Sequence, residues 1–396
     1  MARYKVSPID GVNLRRTPEA LADLSNREDT LLFGTEFDAA PVKGKPDWLQ
    51  LAVERTVGGV RTARSPLTVY AMARYCADIT PTTPPPPTPT PAASFRLGLN
   101  VMQNTHLAQA EAARGCPYFL VMNDYGGAEG LAVNNPDKTI MARRYIEHRG
   151  GITVDQMINL MEGARHRRLV YHGLNENDQL SDRGADLVER ARFDVEVAKR
   201  VQQLNADKPE ADRPRYAAGT FSVGCPDFTN PETVRIIKEI YAPAYNAGLL
   251  GFDMHLYSPN MANVDKPAEW KWYERRWEWL FTACGFNPAI RAIYCSECGV
   301  DEMGVGGFVA HKATSDQVLD WSRKYIDLQQ QPLIVNGVKY ASPIIGGAIF
   351  QLGGNGDPRW GGYEMNGYLP AVRQVYQGAR SISRRIGVRK TGRAKG

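Results

Sequence analysis

Residues 169–180 read LVYHGLNENDQL. The stretch begins as an apolar run with strand character, then breaks into Asn175, Glu176, Asn177 and Asp178. A buried strand ending on a carboxylate between two amides takes its meaning from the strand's place in the fold. Seven other runs share the texture: FRLGLNV (95–101), YFLVMND (118–124), TIMARRY (139–145), YAAGTFSVG (216–224), GFDMHLYS (251–258), IRAIYCSE (290–297) and IGGAIFQLG (345–353). Amphipathic stretches such as DLVERARFDVEVAKRVQQLN and PETVRIIKEIYAPAYNAG lie between them. Eight alternating units over roughly 290 residues match an α/β fold of the (β/α)8 TIM-barrel type in count and size. The competing arrangement is a doubly wound open sheet, but no G-x-G-x-x-G or P-loop follows any of the runs.

In a parallel barrel the active site forms where the strands end. Here the second run ends in Asn123-Asp124, the third in Arg143-Arg144 and the fourth in Asn175-Glu176. The sixth supplies His255 and Tyr257, the seventh Ser296-Glu297 and the eighth Gln351. One polar ending says little, because loops are polar; six on one rim make a site. Strands four and seven stand opposite each other in an eight-stranded barrel, and each ends in Glu. Two carboxyls across an open mouth are the apparatus of glycoside hydrolysis, one protonating the departing oxygen while the other attacks the anomeric carbon. Asn175 is suited to hold a sugar hydroxyl, and Tyr257 to donate to the attacking carboxylate.

Each residue has a structural competitor. Glu176 would serve as a helix cap, a role open also to Asp178 and Asp182, and Asp301 and Glu302 compete with Glu297. His172 is expected as a hydrogen-bonded barrel residue. No His, Asp and Glu cluster has metal-ligand spacing, so neither metal nor cofactor is expected. The segment EWKWYERRWEWLF (269–281) is expected to be helical, packing Tyr273, Trp277 and Leu280 on the barrel. Trp270 or Trp272 would then offer a ring on which a sugar stacks, as would Trp360 in the Gly-rich GGNGDPRWGGYEMNG.

The Asn-Glu ending the fourth strand, with a Glu ending the seventh 121 positions later, resembles the large clan of retaining glycosidases built on the (β/α)8 barrel. The resemblance covers residues 95–380 and implies Glu176 as acid/base and Glu297 as nucleophile. His255-Leu256-Tyr257 is similar to an H-x-Y feature common in that clan, and Arg143 falls where many members place a basic residue. Asn123, Asp124, Arg143, Asn175, His255, Tyr257, Gln351 and Trp360 are the expected substrate-binding residues. The implied activity is cleavage of a β-linked poly- or oligosaccharide. One departure stands out: the eighth strand carries Phe350 and Gln351 where many members have a Trp. The other readings are a non-catalytic carbohydrate-binding protein and a phage-type cell-wall lytic enzyme.

Outside this region, PTTPPPPTPTPAAS (81–94) has seven prolines in fourteen residues and is expected to be an extended spacer. Before it, residues 1–80 break into short strand-like runs separated by turn residues, the texture of a small all-β barrel. They resemble a bacterial SH3 domain through Val12, Asn13, Leu14, Arg15 and Pro18, then Gly34-Thr35, Trp48 and Tyr75. That resemblance implies a cell-wall glycan or peptide ligand; a plain spacer domain is the competing reading. The net charge of +5 lies in the tail: residues 380–396 hold seven Lys or Arg, and without them 41 basic residues face 43 acidic ones. The body is therefore not basic, nucleic acid is not an expected partner, and residues 381–396 read as a solvated basic tail. Six cysteines show no disulfide framework, and Cys295-x-x-Cys298 lacks the second pair a zinc site needs. No apolar run is long enough to span a membrane. The N-terminus lacks the apolar core of a secretory signal, so either an extracellular or cell-surface target is reached by another export route or the chain acts inside the cell.

Overall fold

The computed structural model describes the strands within residues 2–78 and, beyond them, residues 95–102, 104–146, 152–176, 184–302, 305–354 and 358–376. The expected spacer at 81–94, the tail at 381–396, and Pro18, Gly34, Thr35, Tyr75, Asp178 and Asp182 lie outside the described residues. The chain divides into two compact units, Met1–Thr90 and Pro91–Gly396. The first is built on an antiparallel sheet in the order Arg27–Leu31, Val12–Arg15, Leu67–Met72, Lys45–Val53, Glu36–Val42, Ala2–Val6 and Cys76–Asp78. In it Trp48 pairs with Met72.

The second unit contains the parallel strands β1 (Arg96–Val101), β2 (Tyr118–Met122), β3 (Thr139–Arg143) and β4 (Val170–His172). They continue as β5 (Arg215–Phe221), β6 (Gly251–Met254), β7 (Ile293–Glu302) and β8 (Ile344–Leu352). Each pairs with the next in order, and β8 returns to β1, so the sheet closes into an eight-stranded parallel barrel. Helices α1 (Thr105–Arg114), α2 (Tyr125–Asn134), α3 (Val154–Leu160), α4 (Gly184–Leu204), α5 (Pro231–Ile236), α6 (Glu278–Thr282) and α7 (Ser315–Gln330) connect the strands. This is the (β/α)8 barrel that the alternating runs predicted. Its strands are apolar on both sides because helices cover the outside and side chains fill the inside: Leu99, Leu120, Ile140, Tyr171, Ala217, Phe252, Ile293 and Ile349 are all fully buried.

Three register shifts shape the upper rim. On β5 one extra residue, Thr220, lies between the pairings of Gly219 and Phe221 with β6. On β7 the pairing with β8 shifts between Cys295 and Cys298, and on β8 the pairing with β1 shifts between Ile349 and Leu352. Bulges of this kind re-aim side chains that strict alternation would send outwards.

The fourth strand's end is held from behind by α4. Arg190 donates from Nη2 to the carbonyl of Leu174 at 3.0 Å, to the Thr220 hydroxyl at 2.8 Å, and to the carbonyl of Gly219. Thr220 donates to the same Leu174 carbonyl. One turn along, Asp194 accepts from the hydroxyls of Tyr216 (2.7 Å) and Tyr241 (2.6 Å) and sits 3.7 Å from Arg190. Leu174 immediately precedes Asn175 and Glu176, so this buried network sets where those two side chains leave the barrel.

Residues 269–281 do not form the single helix that their spacing predicts. A 3-10 turn, Trp270–Trp272, is followed by an irregular stretch and then α6. Consecutive charged residues turn inwards here. Glu274 accepts from Ser258 and Asn263, Arg275 donates to the carbonyl of Leu328, and Arg276 donates to the carbonyls of Ser222 and Cys225. An amphipathic helix cannot bury three adjacent positions on one face, and satisfying these charges overrides the period. Trp277 and Leu280 are buried as expected, whereas Tyr273 is only partly so.

Arg190→Met should lower unfolding free energy by about 3–5 kcal/mol, because Asp194 stays buried without its cation. Arg235→Met, which breaks an ion pair to Glu239 with both side chains more than half exposed, should cost less than about 1 kcal/mol. Urea unfolding of the two variants checks the contrast.

Candidate active site

The β7 bulge places two consecutive side chains, Ser296 and Glu297, inside the barrel. Glu297 accepts from Arg143 Nη2 at 2.6 Å through Oε1 and from the Tyr257 hydroxyl at 2.9 Å through Oε2. Arg143, at the end of β3, donates from Nη1 to Asn175 Oδ1 at 2.7 Å. His255 stands between the two carboxylates: its Nδ1 is 2.5 Å from Glu176 Oε1 and 3.5 Å from Glu297 Oε2. One oxygen of Glu176, one of Glu297 and a ring nitrogen of His255 all lie within 4.8 Å of one another. The structure thus brings together Arg143, Asn175, Glu176, His255, Tyr257 and Glu297 from four strand ends.

The two carboxyls differ in surroundings. Glu297 has 10% of its side chain exposed, Glu176 39%. Burial alone would raise the Glu297 pKa, but His255, Arg143 and the Tyr257 hydroxyl overcome it and carry the group from its ordinary 4.5 to about 2. Burial likewise works against charge on His255, yet Glu297 and then Glu176 outweigh it and leave the imidazole above its ordinary 6.5. Tyr257 is held far above the usual phenol range by burial and by both carboxylates, so it remains a donor.

Behind this bowl lies a second polar layer, in which His172 is the hydrogen-bonded barrel residue expected and Asp253 was not singled out from the sequence. Asp253, fully buried on β6, accepts from the Ser296 amide at 2.8 Å and the Ser296 hydroxyl at 2.6 Å. His172 approaches Ser296 Oγ at 3.1 Å and Asp253 Oδ2 at 3.3 Å; burial and the neighbouring Arg143 hold it below 6.5, neutral at physiological pH. Asp253 lies two residues before His255 on a strand whose alternate side chains face inwards, which is the signal that would have found it. Tyr363 was missed as well. Its hydroxyl donates to Asp301 at 3.0 Å, its ring packs with Phe350 and Tyr257, and Glu297 and Glu176 both bear on its titration.

Other expected residues are engaged elsewhere. Asp124 caps α2, accepting from the Gly127 amide at 2.8 Å and from Thr105 Oγ1, so both its oxygens serve the fold. Asn123 adopts a left-handed conformation (φ 58°) and accepts from the Tyr145 amide at 3.2 Å. Asx side chains at strand-to-helix junctions take such roles readily. Arg144 reaches Glu162 near the surface. Gln351 is fully buried, and neither its amide oxygen nor its nitrogen has a partner among the described residues. Trp360 is 36% exposed and meets Phe350 edge-on at 5.5 Å, so it walls the mouth rather than its floor. Asp301 is tied to Tyr363, and Glu302 is exposed.

Among the described residues, two sets of side chains have metal-donor proximity, Glu176 with His255 and Glu297, and His172 with Asp253 and His255. In the first, Glu297 already has the Arg143 guanidinium as its countercharge and His255 Nδ1 is engaged with Glu176.

No family model matches the chain, and no curated protein matches it in sequence. Several solved structures are similar to it. The catalytic domain of Thermobifida fusca endoglucanase Cel5A is 13% identical, covering 72% of this chain and 92% of that one at a TM-score of 0.38. The structure of ZgEngAGH5_4 with cellotriose is 8% identical, covering 72% and 96% at 0.42. The CBM22-1 and GH10 modules of Clostridium thermocellum endo-1,4-beta-D-xylanase 10B, complexed with xylohexaose, are 10% identical, covering 95% and 84% at 0.42. Likeness at this level carries no argument about activity; the chemistry rests on this chain's own side chains.

The depressed pKa of Glu297 contributes stability that is fully present above its unfolded value near 4.5 and is lost as pH falls through about 2. Arg143→Met should flatten that part of the stability profile and lower unfolding free energy at neutral pH by about 3–5 kcal/mol. Urea midpoints measured across acidic and neutral pH test both effects.

Proposed function

We propose that the chain is a retaining glycoside hydrolase that cleaves a β-linked poly- or oligosaccharide, with Glu297 as nucleophile and Glu176 as general acid/base. The observation that carries the reading is the asymmetry of the facing carboxyls. Glu297 is buried among Arg143, Tyr257 and His255 and stays ionised down to about pH 2. Glu176 is more exposed and bonded to the titratable imidazole of His255. A buried, ionised carboxylate suits the nucleophilic role, and a more exposed carboxyl beside a titratable imidazole suits the role of proton donor.

In the first step the Glu297 oxygen attacks the anomeric carbon, and the bond to the leaving oxygen breaks as Glu176 passes it a proton. This leaves a covalent glycosyl-enzyme. In the second step Glu176 takes a proton from water, and the water oxygen displaces Glu297 at the same carbon. Two displacements return the original configuration. Retaining enzymes hold their carboxyls about 5–5.5 Å apart, leaving no room for the intervening water of an inverting enzyme; here one oxygen of Glu176 lies within 4.8 Å of one oxygen of Glu297. Asn175, fixed by Arg143, is placed to accept or donate at a sugar hydroxyl beside the reacting carbon. Phe350, Tyr363 and Trp360 supply an aromatic wall for the C–H faces of the ring.

The N-terminal unit is proposed as an accessory module for a wall glycan or peptide, a reading supported by its SH3-like motifs alone. With it, bacterial cell wall stands beside plant and storage glycans as a substrate class to be tried.

Glu297→Gln should abolish hydrolysis of every cleavable substrate in a panel of aryl β-glycosides and polysaccharides. Glu176→Gln should slow poor leaving groups by ~100- to 10,000-fold, spare activated aryl glycosides far more, and be rescued by azide with a β-glycosyl azide as product. Unchanged hydrolysis by either variant would sink the assignment.

A further inference from the structure

At the other end of the barrel, the starts of β3, β4, β5, β7 and β8 surround a cavity of about 420 Å³. Four cations line it, Lys138, Arg168, Arg213 and Arg215, against one carboxylate, Glu210. The body of the chain carries no excess of basic residues, so this grouping is a local concentration of positive charge.

The donors are not used up by the fold. The Lys138 side chain is only 4% exposed, yet its ammonium makes no hydrogen bond to a described residue; its one ion pair, to Asp137, is 3.7 Å long with the carboxylate 75% exposed. Arg168 spends Nε on Asp212 at 2.7 Å, which leaves its terminal nitrogens. Arg213 spends Nε on the Lys208 carbonyl and Nη2 on the Ala206 carbonyl, which leaves Nη1. Arg215 touches the Tyr294 hydroxyl at the cavity's edge.

We propose that this cavity binds a phosphate monoester. Guanidinium groups present planar donor pairs that match phosphate oxygens, an ammonium adds a point charge, and several cations converging from separate strands suit a dianion better than a single carboxylate. The volume falls in the range of small-molecule sites and exceeds what bare phosphate fills, which points to a ligand with an organic portion. The site is distinct from the carboxylate bowl, because its lining comes from strand starts and the bowl is made of strand ends. The proposal therefore stands or falls independently of the hydrolase reading.

Isothermal titration of the full chain with glycerol phosphate, inorganic phosphate and glycerol, at fixed ionic strength, tests it. Glycerol phosphate should bind once per chain, more tightly than inorganic phosphate and more weakly as salt is raised, while glycerol should not bind. Lys138→Met, if it folds with wild-type thermal stability, should weaken binding at least about tenfold. Glu210→Gln removes a surface carboxylate and nothing from the core, and should tighten binding about threefold. Glu176→Gln should leave it unchanged. Absence of saturable binding, an affinity unaltered in Glu210→Gln, or loss of binding in Glu176→Gln would overturn the proposal.

Discussion

The Arg143 guanidinium is the joint on which the upper barrel depends. One nitrogen holds Glu297 on β7 and another holds Asn175 beyond β4, so a single planar fork from β3 fixes side chains far apart in sequence. Burying such a pair is expensive in desolvation, and its geometry is retained only where every donor and acceptor is used. Here the remaining Glu297 oxygen takes the Tyr257 hydroxyl, and Arg143 Nε reaches the sulfur of Met122 at 3.1 Å. The cost of the arrangement makes sense as pre-organisation: the carboxylate is ionised and aimed before any ligand arrives.

From that joint follows the inequality of the two acids. Glu297 is surrounded by groups that favour its charge, while Glu176 contacts His255, whose pKa the pair of carboxylates raises above its ordinary value. Behind His255 the neutral His172, Ser296 and Asp253 form a rigid layer that keeps the bowl from collapsing inwards. The supports differ in kind. Arg190 and Thr220 grip the Leu174 carbonyl beneath Glu176, and the β7 bulge turns Glu297 towards the axis.

Much of this was legible in the chain. Apolar runs with polar ends located all eight strands, because a strand covered on both faces has little freedom in composition while its end is free to carry chemistry. Strand order put Glu176, Glu297, His255, Tyr257 and the Arg143-Arg144 pair on the rim, and the resemblance to the glycosidase clan gave them their expected roles. What escaped depends on neighbours that are not adjacent in sequence. Strict alternation cannot place Ser296 and Glu297 on the same side, since the bulge is defined by pairing with β8. Asp124 looked like a rim residue, but its carboxylate is consumed by the Gly127 amide and Thr105. The helical period at 269–281 gave way because Glu274, Arg275 and Arg276 find buried partners on three separate segments. The cationic cavity was equally hidden, its residues coming from strand starts that only closure of the barrel assembles.

The central claim is that the Glu297 side chain forms a bond to the anomeric carbon. An activated aryl β-glycoside fluorinated beside that carbon slows the second displacement and lets the intermediate accumulate. Intact mass of the inactivated chain, followed by peptide mapping, should show one sugar attached at Glu297 and none on the Glu297→Gln variant. A label on Asp301 or Glu302, or a chain that hydrolyses natural glycan with inversion and never accumulates an adduct, would contradict the account.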